Sequence, residues 1–123
     1  MAAAVSNRVM KFLVALLFAF SMLGSDNPVV GTWDCVAVPD QGEQSNWTLV
    51  VKEVDGKLLG VLSNADGVEL PLLEPKLEGD RFVFAVMINE QKYTAENQVA
   101  AGKLEGRYKG PEAEGVFHGK KRS

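Results

Sequence analysis

Few side chains in this sequence could carry out chemistry, and their types exclude several classes of active site. The 123 residues include one histidine, His118, and one cysteine, Cys35. A hydrolytic triad needs a base held against a nucleophile, and a structural or catalytic zinc site needs several histidine or cysteine ligands. The glycine loops that bind nucleotide phosphates do not occur either. We therefore predict no enzyme, no metal site and no cofactor.

The remaining reactive groups fit structural or surface roles better than catalytic ones. Sixteen Asp and Glu residues would allow glycoside hydrolysis by two carboxylates, but most of them lie in turns or on the polar side of alternating segments. His118 alternates with Val116, and we interpret it as a structural or surface residue rather than a pH switch. Cys35 alternates with Trp33, which is typical of a small buried side chain, and a single cysteine forms no internal disulfide. An intermolecular disulfide or a reactive thiol is the alternative for Cys35.

The first 24 residues have the pattern of a removable export signal. Arg8 and Lys11 precede an apolar run over residues 12–23, and small residues follow it; this order is typical of secretory signals. The apolar run is shorter than the roughly 20 residues that a membrane-spanning helix needs. We expect a signal-peptide helix in residues 1–24 and a single exported domain, periplasmic or secreted, in residues 25–123. Contact with a membrane is then expected only through the signal, if it stays uncleaved.

The charge of the expected mature domain argues against nucleic acid as a partner. Residues 25–123 contain 11 basic and 16 acidic side chains, which gives a net charge of −5. A surface of that sign repels phosphate backbones. The basic tail Lys120-Lys121-Arg122 would be attracted only modestly to an anionic membrane surface.

Downstream of Pro28 the sequence consists of short apolar runs separated by turn residues. Asp55-Gly56 and Asp66-Gly67 supply the positive φ angles of tight hairpin turns. Short, evenly spaced links favour antiparallel neighbours, because parallel strands need long crossovers. We predict an all-β fold, an eight-stranded antiparallel up-and-down barrel, with a flattened β-sandwich as the alternative. The predicted strands are residues 31–38, 46–54, 57–64, 68–73, 81–89, 92–99, 103–109 and 115–122.

Two of these strands carry further expectations. Pro71 lies within the fourth strand and removes a hydrogen-bond donor, which predicts a sheet edge or a bulge. The fifth predicted strand is apolar on both sides, with Val83, Ala85 and Met87 opposite its phenylalanines. Its outer face is therefore expected to be covered or to form a contact surface.

The chain contains two similar halves. The segment from Trp47-Thr48 to Gly60 matches the segment from Tyr93-Thr94 to Gly106 at an offset of 46 residues. A second match, at an offset of 48, aligns Gly31 and Ala37-Val38 with Gly79 and Ala85-Val86. Both a true duplication and the recurrence of common hairpin patterns are consistent with these short blocks.

The opening of the first strand, Gly31-Thr32-Trp33, resembles the calycin superfamily of lipocalins, fatty-acid-binding proteins and avidins. It is also similar to small exported β domains of bacterial proteins. The resemblance implies that Gly31 and Trp33 plug one end of a barrel and that a basic residue of the last strand, Arg122 or Lys121, covers the indole. The domain is shorter than a typical lipocalin and lacks its C-terminal helix and disulfides, and the polar residues by which avidins hold biotin have no clear counterpart.

Two functions follow from this fold class. The first is a binding module whose interior holds a small apolar ligand, since an eight-stranded barrel is either just filled by side chains or holds one small ligand. The second is a non-catalytic structural or interaction protein with a filled core and a protein-binding outer surface, near Met87 and Pro71. A cavity of a few hundred cubic ångströms would favour the binding module. The candidate ligand-binding residues are the large aromatic side chains on inferred inward faces: Trp33, Trp47, Phe82, Phe84, Tyr93 and Tyr108.

Overall fold

The computed structural model describes residues 27–123, which form nine β-strands and no helix. The predicted signal, residues 1–24, lies outside the described residues. Within residues 27–123 we find no helix with the length and apolar character needed to cross a bilayer. The strands are β1 (Gly31–Pro39), β2 (Ser45–Val54), β3 (Lys57–Ser63), β4 (Glu69–Pro71), β5 (Leu73–Glu78), β6 (Arg81–Ile88), β7 (Gln91–Ala100), β8 (Lys103–Lys109) and β9 (Glu114–Lys121).

All nine strands belong to one antiparallel sheet that curls into a nearly closed barrel. Their order is β4-β3-β2-β1-β9-β8-β7-β6-β5. The first and last strands of the barrel pair with each other, from Trp33 opposite Lys121 to Pro39 opposite Gly115. Only Leu72 separates β4 from β5, so the two edges of the sheet are brought together by one short stretch of chain. The prediction of an all-β up-and-down barrel is confirmed, and the sandwich alternative is not observed.

The ninth strand arises because the fourth predicted strand bends and continues. β4 pairs with β3, and β5 pairs with β6. At the junction the Leu72 amide donates to the Gly60 carbonyl at 2.9 Å, Glu74 has a φ of 51°, and the pairing register shifts between Leu73 and Lys76. Pro71 thus ends β4 at an edge of the sheet, as the sequence predicted, and the bulge that follows it divides one predicted strand between the two edges of the barrel.

The two ends of the barrel differ, and we name them by the strand connections they carry. The closed end holds the β2–β3, β5–β6 and β7–β8 connections, and the open end holds the β1–β2, β3–β4, β6–β7 and β8–β9 connections. The largest fully buried side chains, which include Trp33, Phe82 and Leu104, belong to the interior near the closed end. Phe84 continues this core, with its ring centroid 5.4 Å from that of Phe82 and 5.9 Å from that of Phe117.

The hairpins β2–β3 and β7–β8 are equivalent at the offset of 46 residues. Val51 pairs with Gly60, and Asn97 pairs with Gly106, so both hairpins have the same register. A Cβ at Gly60 would lie 2.7 Å from the Val50 carbonyl oxygen, and a Cβ at Gly106 would overlap the carbonyl oxygen at the corresponding position of β7. The backbone therefore approaches its neighbouring strand closely at the same point of each hairpin, as glycine positions in curved strands allow.

The match at an offset of 48 residues has no such equivalence. Ala37 faces the barrel interior, whereas Ala85 alternates with the inward-facing Phe84 and Val86 and so points outward. A strand residue that changes face has a different environment. Only the hairpin portion of the sequence match is thus a structural repeat.

Candidate functional site

An apolar cavity of about 220 Å³ opens into the barrel interior at the open end. For comparison, an engineered apolar cavity of about 150 Å³ accommodates benzene, and pockets for drug-sized ligands start at about 300 Å³. The space therefore suits a molecule somewhat larger than a single aromatic ring. The cavity is lined by Ala37, Ser45, Trp47, Leu62, Phe84, Val86, Ile88, Tyr93, Thr94, Ala95, Tyr108, Ala113 and Phe117.

Small side chains in its wall account for the position of this cavity. Ala37, Ser45 and Ala95 line the open end, whereas the closed end is filled by Trp33 and Phe82. The end with smaller inward side chains therefore keeps unfilled volume.

The structure brings four of the six predicted ligand-binding residues together around the cavity. Trp47, Phe84, Tyr93 and Tyr108 line it, with Phe84 almost fully buried at its inner side. The other two, Trp33 and Phe82, are fully buried and do not line it.

Trp33 instead closes the opposite end of the barrel. Its indole Nε1 donates to the Val29 carbonyl at 2.9 Å, so the segment before β1 seals the ring from solvent. The Nζ of Lys121 lies 5.4 Å from the centroid of the indole, within the range of a cation–π contact. A Cβ at Gly31 would lie 3.1 Å from the Lys121 side chain, so this glycine leaves room for the lysine to reach the ring.

Arg122, one of the two basic residues that the resemblance implied for this cover, lies on the outer surface. Its guanidinium donates to the carboxylate of Asp34 at 2.8 and 3.1 Å. This hydrogen bond to Arg122, with the attraction between the two charges, holds the pKa of Asp34 below its ordinary value. Lys121, the second residue that the resemblance implied, takes the position over the indole.

Phe117 and Val86 line the cavity although sequence reasoning did not select them. The inward face of β9 reads Gly115, Phe117, Gly119, and the two glycines hide the alternation that would have marked Phe117 as an interior residue. A Cβ at Gly119 would lie 2.7 Å from the sulfur of Cys35, so the glycine is required by the buried thiol opposite it. The alternation of inward and outward residues along β9 would have identified Phe117 as an interior residue, but its neighbours on the inward face are glycines.

The polar groups of the cavity wall are hydroxyls rather than charges. The indole Nε1 of Trp47 donates to the Ser45 hydroxyl at 2.8 Å. Burial raises the pKa of Tyr108, and the neighbouring Asp40 and Tyr93 raise it further, while the charge of Arg107 acts in the opposite direction. None of the side chains that line this cavity belongs to Lys, Arg or His.

The β8–β9 connection is packed directly on Tyr93. A Cβ at Gly110 would overlap the Tyr93 ring, so the backbone of the connection lies against the aromatic face. The Gly110 amide donates to the Ala113 carbonyl at 2.9 Å and fixes the shape of this connection. Tyr93 is therefore held in the wall by backbone, and its ring borders the mouth of the cavity.

The described residues offer no cluster for a metal ion. Among residues 27–123 no three His, Cys, Asp or Glu side chains are grouped so that they could share one. The single cysteine, Cys35, is buried, and burial is the main cause that raises its pKa to about 12, with the charge of Asp34 adding to the effect.

No protein-family model and no curated protein matches this chain. Among solved structures it is similar to a de novo designed fluorescence-activating β-barrel, with a TM-score of 0.59 and 14% identity over 82% of this chain and 100% of that one. It is also similar to a redesigned β-barrel, with a TM-score of 0.59 and 10% identity over 84% of this chain and 98% of that one. At these identities the likeness establishes a shared barrel fold and nothing about shared ancestry or function.

Proposed function

We propose that this chain is an exported binding module that holds one small, mainly apolar ligand in the open end of a calycin-like barrel. The observation that carries the proposal is the cavity of about 220 Å³ with aromatic side chains in its wall. Ligand pockets are typically concave and apolar, with a few polar groups that orient the ligand. Here the hydroxyls of Ser45, Thr94 and Tyr108 would supply that orientation.

Other features support the remaining parts of the proposal. The position of Lys121 over the Trp33 indole agrees with the calycin-like arrangement. Export rests on the signal pattern of residues 1–24. Binding is proposed in preference to catalysis because the hydroxyls of the wall are not accompanied there by a histidine or a carboxylate that could activate them.

The test is whether the protein retains a ligand in its cavity. Native mass spectrometry of the protein purified from its own host is expected to show a small-molecule adduct. Ala95→Leu would fill the cavity, because Ala95 is buried in its wall, and should abolish the adduct while the fold persists. The matched control is Ala100→Leu on the same strand, where residue 100 is exposed. A bare protein that also binds no added aromatic probe would contradict the proposal.

The alternative function, an interaction protein with an apolar outer surface, draws on a different set of residues than the sequence suggested. Ala85 is only 4% exposed and is not available for contact, although Met87 is 44% exposed. Leu59 and Val61 on β3, at 54% and 37%, are also exposed apolar side chains. Retention of a protein partner or a dimer, together with an empty cavity, would favour this alternative.

A further inference from the structure

We infer that the cavity selects a ligand that carries a positive charge, an aromatic or alkyl amine, over neutral and anionic molecules of the same shape. The inference rests on the proposed function, because it names the class of ligand for the same cavity. It depends on the charges around the mouth and on the chemistry of the wall.

The connections at the open end carry acidic residues and no basic ones. They comprise residues 40–44, 64–68, 89–90 and 110–113, and their charged side chains are Asp40, Glu43, Asp66, Glu90 and Glu112. The three connections at the closed end contain two acids, Asp55 and Asp80. Summed charge of one sign around an opening raises the local concentration of ligands of the opposite sign.

The carboxylates nearest the mouth are only partly neutralised. A shallow groove with Asp40, Glu112 and Glu114 in its wall adjoins the cavity through Ala113, which lines both. Arg107 pairs with Asp40 at 2.9 Å. Glu112 accepts a hydrogen bond from the neutral Gln91 at 3.2 Å, and neither Glu112 nor Glu114 forms an ion pair within residues 27–123.

Two lysines near this end do not reverse the sign. Lys92 pairs with Glu74 at 3.5 Å. Lys109 pairs in register with Glu114 across β8 and β9, so its charge balances one carboxylate of the groove at most. The mouth as a whole therefore keeps an excess of negative charge.

The wall favours a cation for a second reason. The rings of Trp47, Tyr93 and Tyr108 border the cavity, and aromatic faces attract ammonium groups. A carboxylate placed there would lose its hydration and meet no cationic side chain in the wall.

Three probes of one shape separate the charge preference from binding itself. They are 1-naphthylmethylamine, 1-naphthalenemethanol and 1-naphthoate, whose two fused rings suit a cavity larger than one that holds benzene. By calorimetric titration at low salt, we expect the amine to bind about tenfold more tightly than the alcohol and the carboxylate to bind most weakly. Physiological salt should reduce the difference, because its Debye length is about 8 Å.

A double substitution, Glu112→Gln with Glu114→Gln, assigns the effect to the mouth. It should weaken binding of the amine severalfold and leave that of the alcohol unchanged. The control, Asp55→Asn with Asp80→Asn, removes the same charge from the closed end and should change neither affinity. Equal binding of the amine and the alcohol, or preference for the carboxylate, would overturn the inference and leave the binding function standing. Failure of all three probes to bind would count against the proposed function itself.

Discussion

Individual residues divide the barrel interior into a filled half at the closed end and a half with a cavity at the open end. Trp33 is fully buried and hydrogen-bonded to the Val29 carbonyl, whereas Trp47 is partly exposed and lines the cavity. The two tryptophans therefore have different roles although both are large inward-facing aromatics on adjacent strands.

Replacing each tryptophan by alanine should separate these roles. We expect Trp33→Ala to lower the free energy of unfolding by about 3–5 kcal/mol, the usual cost of truncating a buried large aromatic. Trp47→Ala should cost less than about 2 kcal/mol, since less of its surface is buried, but should weaken ligand binding. Urea unfolding followed by circular dichroism measures both values. A cost below 1 kcal/mol for Trp33→Ala would mean that this residue does not seal the closed end.

Cys35 provides a second test at the residue scale. Burial raises the pKa of its thiol to about 12, so the reactive thiolate is scarce in the folded protein at pH 8. We expect a thiol reagent to modify Cys35 rapidly in denaturant and very slowly without it. Rapid modification of the native protein would show that the β1–β9 contact opens easily.

The same thiol gives a pH dependence with a defined sign. The folded state retains its proton up to about pH 12, whereas an unfolded chain releases it above roughly pH 8.5. The unfolded state therefore binds fewer protons than the folded state in this window, and stability should fall as pH rises through it. Cys35→Ala should flatten this part of the profile of unfolding free energy against pH, and an unchanged slope would argue against the buried thiol as its cause.

At the scale of elements, the glycines of the two equivalent hairpins are positions where the backbone approaches its neighbouring strand too closely for a Cβ to fit. Gly60 and Gly106 leave no space for a Cβ against the neighbouring strand. Gly106→Ala is expected to lower the free energy of unfolding by about 1–3 kcal/mol, because the added methyl group forces the backbone apart. Gly60→Ala should behave in the same way if the hairpins are equivalent. Thermal unfolding of both variants tests this, and a neutral effect at either position would break the equivalence.

The strands were predictable wherever the alternation of apolar and polar residues ended at a recognisable turn sequence such as Asp55-Gly56. Seven of the eight predicted strands agree with the structure to within one residue at each end. The exception is the split between β4 and β5, because Glu74-Pro75-Lys76 has the composition of a turn. The strand nevertheless continues through this stretch with a bulge, at which Glu74 has a φ of 51°, since β4 and β5 each find a partner strand at a different edge of the sheet. Pairing partners far along the chain are not encoded in local composition.

The site was predictable in part. Aromatic residues on clearly alternating strands, such as Tyr93 and Tyr108, were placed in the interior and line the cavity. The boundary between the cavity and the filled core was not predictable. It depends on which inward side chains of different strands lie at the same level along the barrel axis, and the sequence alone does not give the pairing register that decides this. The sequence left the residue over the Trp33 indole open between Arg122 and Lys121, although the period of two along β9 places Lys121 on the same face as Phe117.

For the whole molecule, the pairing of β1 with β9 sets the condition for folding. The barrel cannot close until the last strand is present, because β9 lies between β1 and β8 in the sheet. We expect a chain that ends before residue 114 to remain unfolded by circular dichroism and NMR, whereas a chain that ends after Lys121 should fold with reduced stability. A folded product from the shorter chain would show that the remaining strands form a stable open sheet.

Both ends of the described chain emerge at the closed end of the barrel. Asn27 lies beside the β2–β3 connection, and the Arg122 amide donates to the Thr32 carbonyl at 2.8 Å, next to the start of β1. A carrier protein, bead or sensor surface attached directly before Asn27 or after Ser123 would therefore face away from the cavity. Protein immobilised in this way would present the entrance of the cavity to the surrounding solution.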